Sequence, residues 1–133
     1  MKIQLSVILM GLAFLAFISC KPTQTFHKMF TYGTDDNLIE VNPGDSFELT
    51  FVTNASTGYC WILKNKEEIR LVDSVSNRYE QIAPQGMIGA PVHRLWGFRA
   101  KKTGTDTLKF AYIRPWEPDN AAKERTVVVR VNK

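Results

Sequence analysis

The chain has 133 residues, 44% of them hydrophobic and 23% charged, with 17 Lys and Arg against 13 Asp and Glu. That is room for one domain, and a net charge of +4 with no basic run excludes a nucleic-acid-binding surface. Hydrophobicity is uneven along the chain, because the opening residues hold its one long apolar run.

Met1 and Lys2 lead into an apolar stretch over residues 7–18. At about 1.5 Å per residue such a helix falls well short of a ~30 Å hydrocarbon core, so the stretch reads as a secretory signal and not as a membrane span. Its end, Phe17-Ile18-Ser19-Cys20, resembles the lipobox of bacterial lipoproteins. That resemblance implies a signal peptide over 1–19, an acylated Cys20 as the new N-terminus, and a protein lipid-anchored in a bacterial cell envelope. Lys21 after the Cys resembles outer-membrane sorting, on the periplasmic face or the cell surface. Each buried acyl CH₂ contributes ~0.8 kcal/mol, so two or more chains hold an otherwise soluble domain to a membrane.

Residues 20–37 carry the lipidated Cys and a polar stretch without periodicity, the composition of a flexible tether. The folded domain is expected over 38–133. Cys60 is the one thiol left there, so no internal disulfide forms and stability must come from packing.

From residue 38 the dominant period is two. Phe47, Leu49 and Phe51 share one side of a strand, with Ser46, Glu48 and Thr50 on the other. Arg94, Trp96, Phe98 and Ala100 repeat the pattern, then Leu108, Phe110 and Tyr112, then Val127, Val129 and Val131. Turn signals separate these runs at 42–45, 56–58, 84–86, 103–104 and 115–120, and only 65–70 fits a helical turn. About seven short strands at such spacing predict an all-β, immunoglobulin-like antiparallel β-sandwich.

Trp61, early in the third strand, is expected in the core, with Tyr59 sealing its end and Cys60 on the opposite face as an inert thiol. His27 and His93 have no metal-site spacing, and Glu67 and Glu68 are adjacent charges on a turn. There is no nucleophile elbow and no phosphate-binding loop. The reading is therefore of a protein with no enzyme activity, no cofactor and no metal.

Three loops carry the unusual residues: 54–58, 85–92 and 114–122. In a sandwich they are alternate connections and lie at one end. Pro115 restrains the backbone between Arg114 and Trp116, two residue types common at interface hot spots. Gly58 permits a tight turn beside the small hydroxyls of Ser56 and Thr57, and Gly86, Gly89 and Ala90 leave the middle loop almost bare of side chains.

The run Asn54-Ala55-Ser56-Thr57-Gly58-Tyr59, followed by Cys60-Trp61, resembles the Asn-Pro-Thr-Thr-Gly-Tyr motif of chagasin-type inhibitors of papain-like cysteine proteases. Arg114-Pro115-Trp116 matches that family's third motif, and Gly89-Ala90 keeps the first Gly of its middle one. The resemblance implies a reversible, tight-binding inhibitor, a monomer whose partner is a papain-like cysteine protease and whose three loops fill the active-site cleft. Thr57 and Gly58 would approach the nucleophile, Arg114 and Trp116 would clamp one wall, and Gly89 with Ala90 would lie on the other. Two other classes fit the same loops: a membrane-anchored immunoglobulin-like adhesion module, and a carbohydrate-binding module stacking sugars on Trp116 and Tyr59.

Overall fold

The computed structural model describes the backbone of Phe26–Thr31 and residues 37–133. The expected signal peptide and Cys20 lie outside the described residues. Among the described residues, eight strands form two four-stranded sheets: β1 (Phe26–Thr31), β2 (Leu38–Val41), β3 (Ser46–Thr53), β4 (Cys60–Leu63), β5 (Val72–Gln81), β6 (Val92–Ala100), β7 (Gly104–Ile113) and β8 (Lys123–Val131). One sheet has the order β1-β3-β6-β5 and the other β2-β8-β7-β4. The interior pairings β3–β6, β5–β6, β7–β8 and β4–β7 are antiparallel. The edge strands β1 and β2 pair in parallel with β3 and β8.

The seven strands expected from the sequence are β2 to β8. β1 is an addition, formed by a stretch that the polar composition assigns to the tether. Its register slips between Phe26 and Lys28, so a bulge breaks the period of two from which a strand is read. Its pairing covers an edge of β3 that would otherwise present open backbone groups.

The core lies between the sheets and is built from the alternating positions. Phe47, Leu49, Phe51, Trp61, Phe98, Leu108, Phe110, Val127, Val129 and Val131 are all buried, joined by Ile39 and Val41 of β2. Aromatic rings fill its middle: Phe51 lies 4.8 Å from Trp61 and 4.6 Å from Phe110, and Phe47 stacks on Phe98 at 5.4 Å. Such contacts add to the area that these rings remove from water. Trp61 occupies its expected place, and its indole N–H donates to the Val52 carbonyl at 3.1 Å.

The far side of β3 departs from simple alternation, since Ser46, Glu48 and Thr50 are buried as well. β3 is an interior strand, flanked by β1 and β6. The Glu48 carboxylate accepts from both terminal nitrogens of Arg78, at 2.6 and 3.4 Å, which neutralises a charge that burial would otherwise make costly.

Candidate protein-binding rim

Strand register brings the three loops to one pole. Thr53, Val92 and Gln81 form one row, at the end of β3, the start of β6 and the end of β5. In the other sheet Cys60 opposes Ile113 and Tyr112 opposes Lys123, so the start of β4, the end of β7 and the start of β8 reach the same pole. The connections 54–59, 82–91 and 114–122 therefore share one surface.

The first loop is a single 3-10 turn over Ala55–Thr57, held by its own polar groups. Asn54 is the N-cap: its side-chain oxygen accepts from the Ser56 amide at 3.1 Å and from the Ser56 hydroxyl at 2.6 Å. The Thr57 hydroxyl donates to the Asn54 carbonyl at 2.7 Å. Gly58 closes the turn at φ 75°, a conformation that suits glycine, and its amide donates to the Ala55 carbonyl at 3.2 Å. Ala55, Ser56 and Thr57 are all exposed.

The root of that loop rests on a residue for which the sequence offered no functional signal. Tyr112 of β7 accepts at its hydroxyl from the Thr53 hydroxyl at 3.4 Å and the Asn54 amide at 3.3 Å, and its ring stacks between Tyr59 and Trp61, 5.1 Å from each. Burial opposes ionisation of the Tyr112 hydroxyl, but the bonds from Thr53, Asn54 and Thr57 and the nearby Lys123 charge outweigh it and hold the pKa below 10.0.

The loops are joined to one another. The Asn54 side-chain amide donates to the Gly89 carbonyl at 3.0 Å, tying the first loop to the middle one. The Trp116 ring lies over Gly58, where a Cβ would sit 2.5 Å from Cη2, tying the first loop to the third. The Arg114 guanidinium sits 4.5 Å from the Tyr59 ring centroid, at cation–π distance. The third loop turns twice, with the Glu117 amide donating to the Arg114 carbonyl at 2.9 Å and the Asn120 amide to the Glu117 carbonyl at 3.2 Å. Pro115 and Trp116 stand at its tip, and Trp116 is 66% exposed even though one edge of its ring meets Gly58.

Thus Asn54, Ser56, Thr57, Gly58, Tyr59, Gly89, Arg114, Pro115 and Trp116 form a continuous rim, with Ala90 next to Gly89. The middle loop is not bare, however. Met87 is 68% exposed and Ile88 fully so, between Gly86 and Gly89, both at positive φ. Counting the small residues around them hid this pair. Large apolar side chains thus stand exposed on two of the loops, Met87 and Ile88 on the middle one and Trp116 on the third. Tyr59 already carries Tyr112 and Arg114 against its ring, which leaves it poorly placed to stack a sugar.

Comparison with known proteins identifies the family. Residues 40–131 match the family model described as chagasin family peptidase inhibitor I42. The chain is 30% identical over 98 residues to Amoebiasin-2 of Entamoeba histolytica, covering 74% of this chain and 79% of that protein. It is 30% identical over 105 residues to Amoebiasin-1 of the same organism, covering 74% and 95%. Its fold is similar to the crystal structure of the cysteine protease inhibitor EhICP2 from Entamoeba histolytica, with a TM-score of 0.66 and 26% identity, covering 81% of this chain and all of that one. It also resembles PbICP-C, solved in complex with falcipain-2, with a TM-score of 0.57 over 79% and 99% of the two chains; at 18% identity this likeness shows the fold alone. Matched over most of its described length to a family of inhibitors and not of enzymes, the chain belongs to the chagasin family of peptidase inhibitors.

Proposed function

We propose that the protein is a reversible, tight-binding inhibitor of papain-like cysteine proteases that lays its three loops into the active-site cleft. The observation that carries this reading is the cross-linked rim, in which Asn54 bonds Gly89 and Gly58 receives Trp116. Loops already joined to one another lose little freedom on docking, so more of the contact energy appears as affinity.

The 3-10 turn at Ala55–Thr57, whose three residues are all exposed, enters beside the catalytic cysteine. A protease cleaves an extended chain held in near-attack geometry. A backbone wound into a turn, with the Thr57 hydroxyl and the Gly58 amide both bonded inside the loop, fills that space without presenting an aligned scissile carbonyl. Arg114, Pro115 and Trp116 close on one wall of the cleft. Met87 and Ile88, with Gly89 and Ala90, close on the other. The monomer supplies the whole surface, so no second copy is needed. Cys20 is acylated in this reading and anchors the inhibitor in the envelope of a bacterial cell, at the outer membrane.

The test is a titration of a papain-like protease with the soluble form from Lys21 onward. Activity lost stoichiometrically and regained on dilution, with the inhibitor uncleaved, is the expected result. Full activity at micromolar inhibitor would reject the proposal, and binding of glycans abolished by Trp116→Ala would replace it with the carbohydrate reading.

A further inference from the structure

We infer that Tyr112 is a positioning residue for the inhibitory rim: set back from the contact surface, it fixes the first and third loops relative to each other. This rests on the reading of the loops as a protease-binding surface and deepens it, by naming the side chain that gives that surface one shape.

The topology creates the need. The first loop leaves β3 in one sheet and enters β4 in the other, while the third loop joins β7 and β8 within the second sheet. Strand pairing ties the third loop to β4 through β7. The root of the first loop, Thr53 at the end of β3 and Asn54 after it, belongs to the opposite sheet. Apolar packing between sheets is non-directional, so the setting of that root against the third loop falls to groups with directional bonds.

Tyr112 supplies them. It opposes Trp61 across the β4–β7 pair and stands two residues before Arg114. Its hydroxyl reaches the other sheet, accepting from the Thr53 hydroxyl at 3.4 Å and the Asn54 amide at 3.3 Å. Asn54 passes that anchorage on: its carbonyl accepts from the Thr57 hydroxyl, its side-chain oxygen from the Ser56 amide, and its side-chain amide donates to the Gly89 carbonyl. A shift of the Tyr112 hydroxyl therefore moves the first loop and, through Gly89, the middle one.

The ring acts on the third loop. Aromatic side chains form one stack from the core outward, with Phe51 4.8 Å from Trp61, and Tyr112 5.1 Å from both Trp61 and Tyr59. The Arg114 guanidinium lies at its outer end, 4.5 Å from the Tyr59 centroid. The inner end is anchored, since Trp61 is buried and donates to the Val52 carbonyl. The far side of the third loop closes on the same residue, the Ala122 amide donating to the Tyr112 carbonyl at 2.9 Å. Tyr112 itself is half-buried, whereas Ala55, Ser56, Thr57, Pro115 and Trp116 are exposed. It acts on a protease through these neighbours, by holding them in the docking arrangement before docking.

The experiment compares the chain as purified from expressing cells with its Tyr112→Phe and Tyr112→Leu variants, by amide hydrogen exchange on the free proteins, melting temperature at neutral pH and inhibition of papain. Tyr112→Phe keeps the stack and loses the hydroxyl. It is expected to speed exchange about tenfold at Asn54, Thr57 and Gly58 while Glu117, Asn120 and Ala122 stay as they were, and to weaken inhibition about five- to tenfold at an unchanged melting temperature. Tyr112→Leu also loses the ring, so exchange should rise in both loops with the β6 amides still protected, and inhibition should fall roughly a hundredfold. Inhibition unchanged in either variant, or protection lost evenly along the strands, would make Tyr112 a core side chain only and overturn the proposal. The exchange measurement needs no protease: a parent that leaves papain fully active, yet shows these loop-confined changes, rejects the inhibitor reading alone.

Discussion

Two tryptophans of this chain do opposite work, and their surroundings say why. Trp61 is 1% exposed, rests on Phe51 and bonds the Val52 carbonyl, whereas Trp116 is 66% exposed at the tip of a turn. Trp61→Ala is expected to lower unfolding free energy by about 3–5 kcal/mol, measured by denaturant titration. Trp116→Ala should leave stability within ~0.5 kcal/mol of the parent yet weaken protease inhibition by about 2 kcal/mol, roughly 30-fold. Equal loss of stability from the two would show Trp116 to be structural.

Tyr112 gives a second prediction at this scale. Its hydroxyl accepts two bonds at the root of the first loop, which favours the phenolate in the folded state. A folded-state pKa held below 10.0 stabilises the fold only above that range, and the contribution disappears as pH falls through the folded value. Relative to Tyr112→Phe, the parent should therefore gain stability as pH rises toward 10, with no such gain at neutral pH. A stability difference independent of pH across that window would mean that the hydroxyl is not held as described.

Among the elements, the first loop is the one that a single substitution can stiffen. Asn54 before it is extended, at φ −122° and ψ 104°, and Ala55 is the first residue of the turn. Those are the backbone conditions that a proline at position 55 requires. Ala55→Pro should stabilise the loop by ~0.4–1 kcal/mol and tighten inhibition by about two- to fivefold, read from the inhibition constant. Unchanged or weaker inhibition would show that the Asn54 bonds already hold the loop fully. The middle loop makes a converse prediction: Ile88→Asp, at a fully exposed position, should keep the melting temperature and weaken inhibition by about tenfold or more, because ~1.5 kcal/mol or more of apolar burial at the protease is lost.

These elements also mark what alternation does and does not convey. The row Phe47, Leu49, Phe51 was legible because a period of two states which side chains share a face. It does not state what lies beyond the other face, so the burial of Ser46, Glu48 and Thr50 and the Arg78 pairing were not. β1 was missed because its bulge scrambles the period. In the rim, the short local motifs around Gly58 and Trp116 were legible. The Asn54 bond to Gly89, 35 residues away, and the Tyr112 bond to the loop root, 58 residues away, depend on strand register that no local pattern encodes. Met87 and Ile88 were hidden among glycines, whose small size says nothing of the side chains that they flank.

For the whole molecule, the three loops and the point of chain entry lie at opposite ends. A sandwich closed by an aromatic core needs no disulfide, and the one thiol within it, Cys60, is half-buried at the start of β4. The strands act as struts that fix three loops at one pole, while the chain enters at the other. The central claim is that these loops dock together, as one rim. The crystal structure of the complex with papain tests it most directly. An intact inhibitor is expected, with residues 54–59, 86–91 and 114–117 all buried in the cleft and the turns at 42–45 and 101–103 exposed. An interface made by one loop alone, by the β5 edge or by the opposite pole, or a chain cut at the first loop, would contradict it.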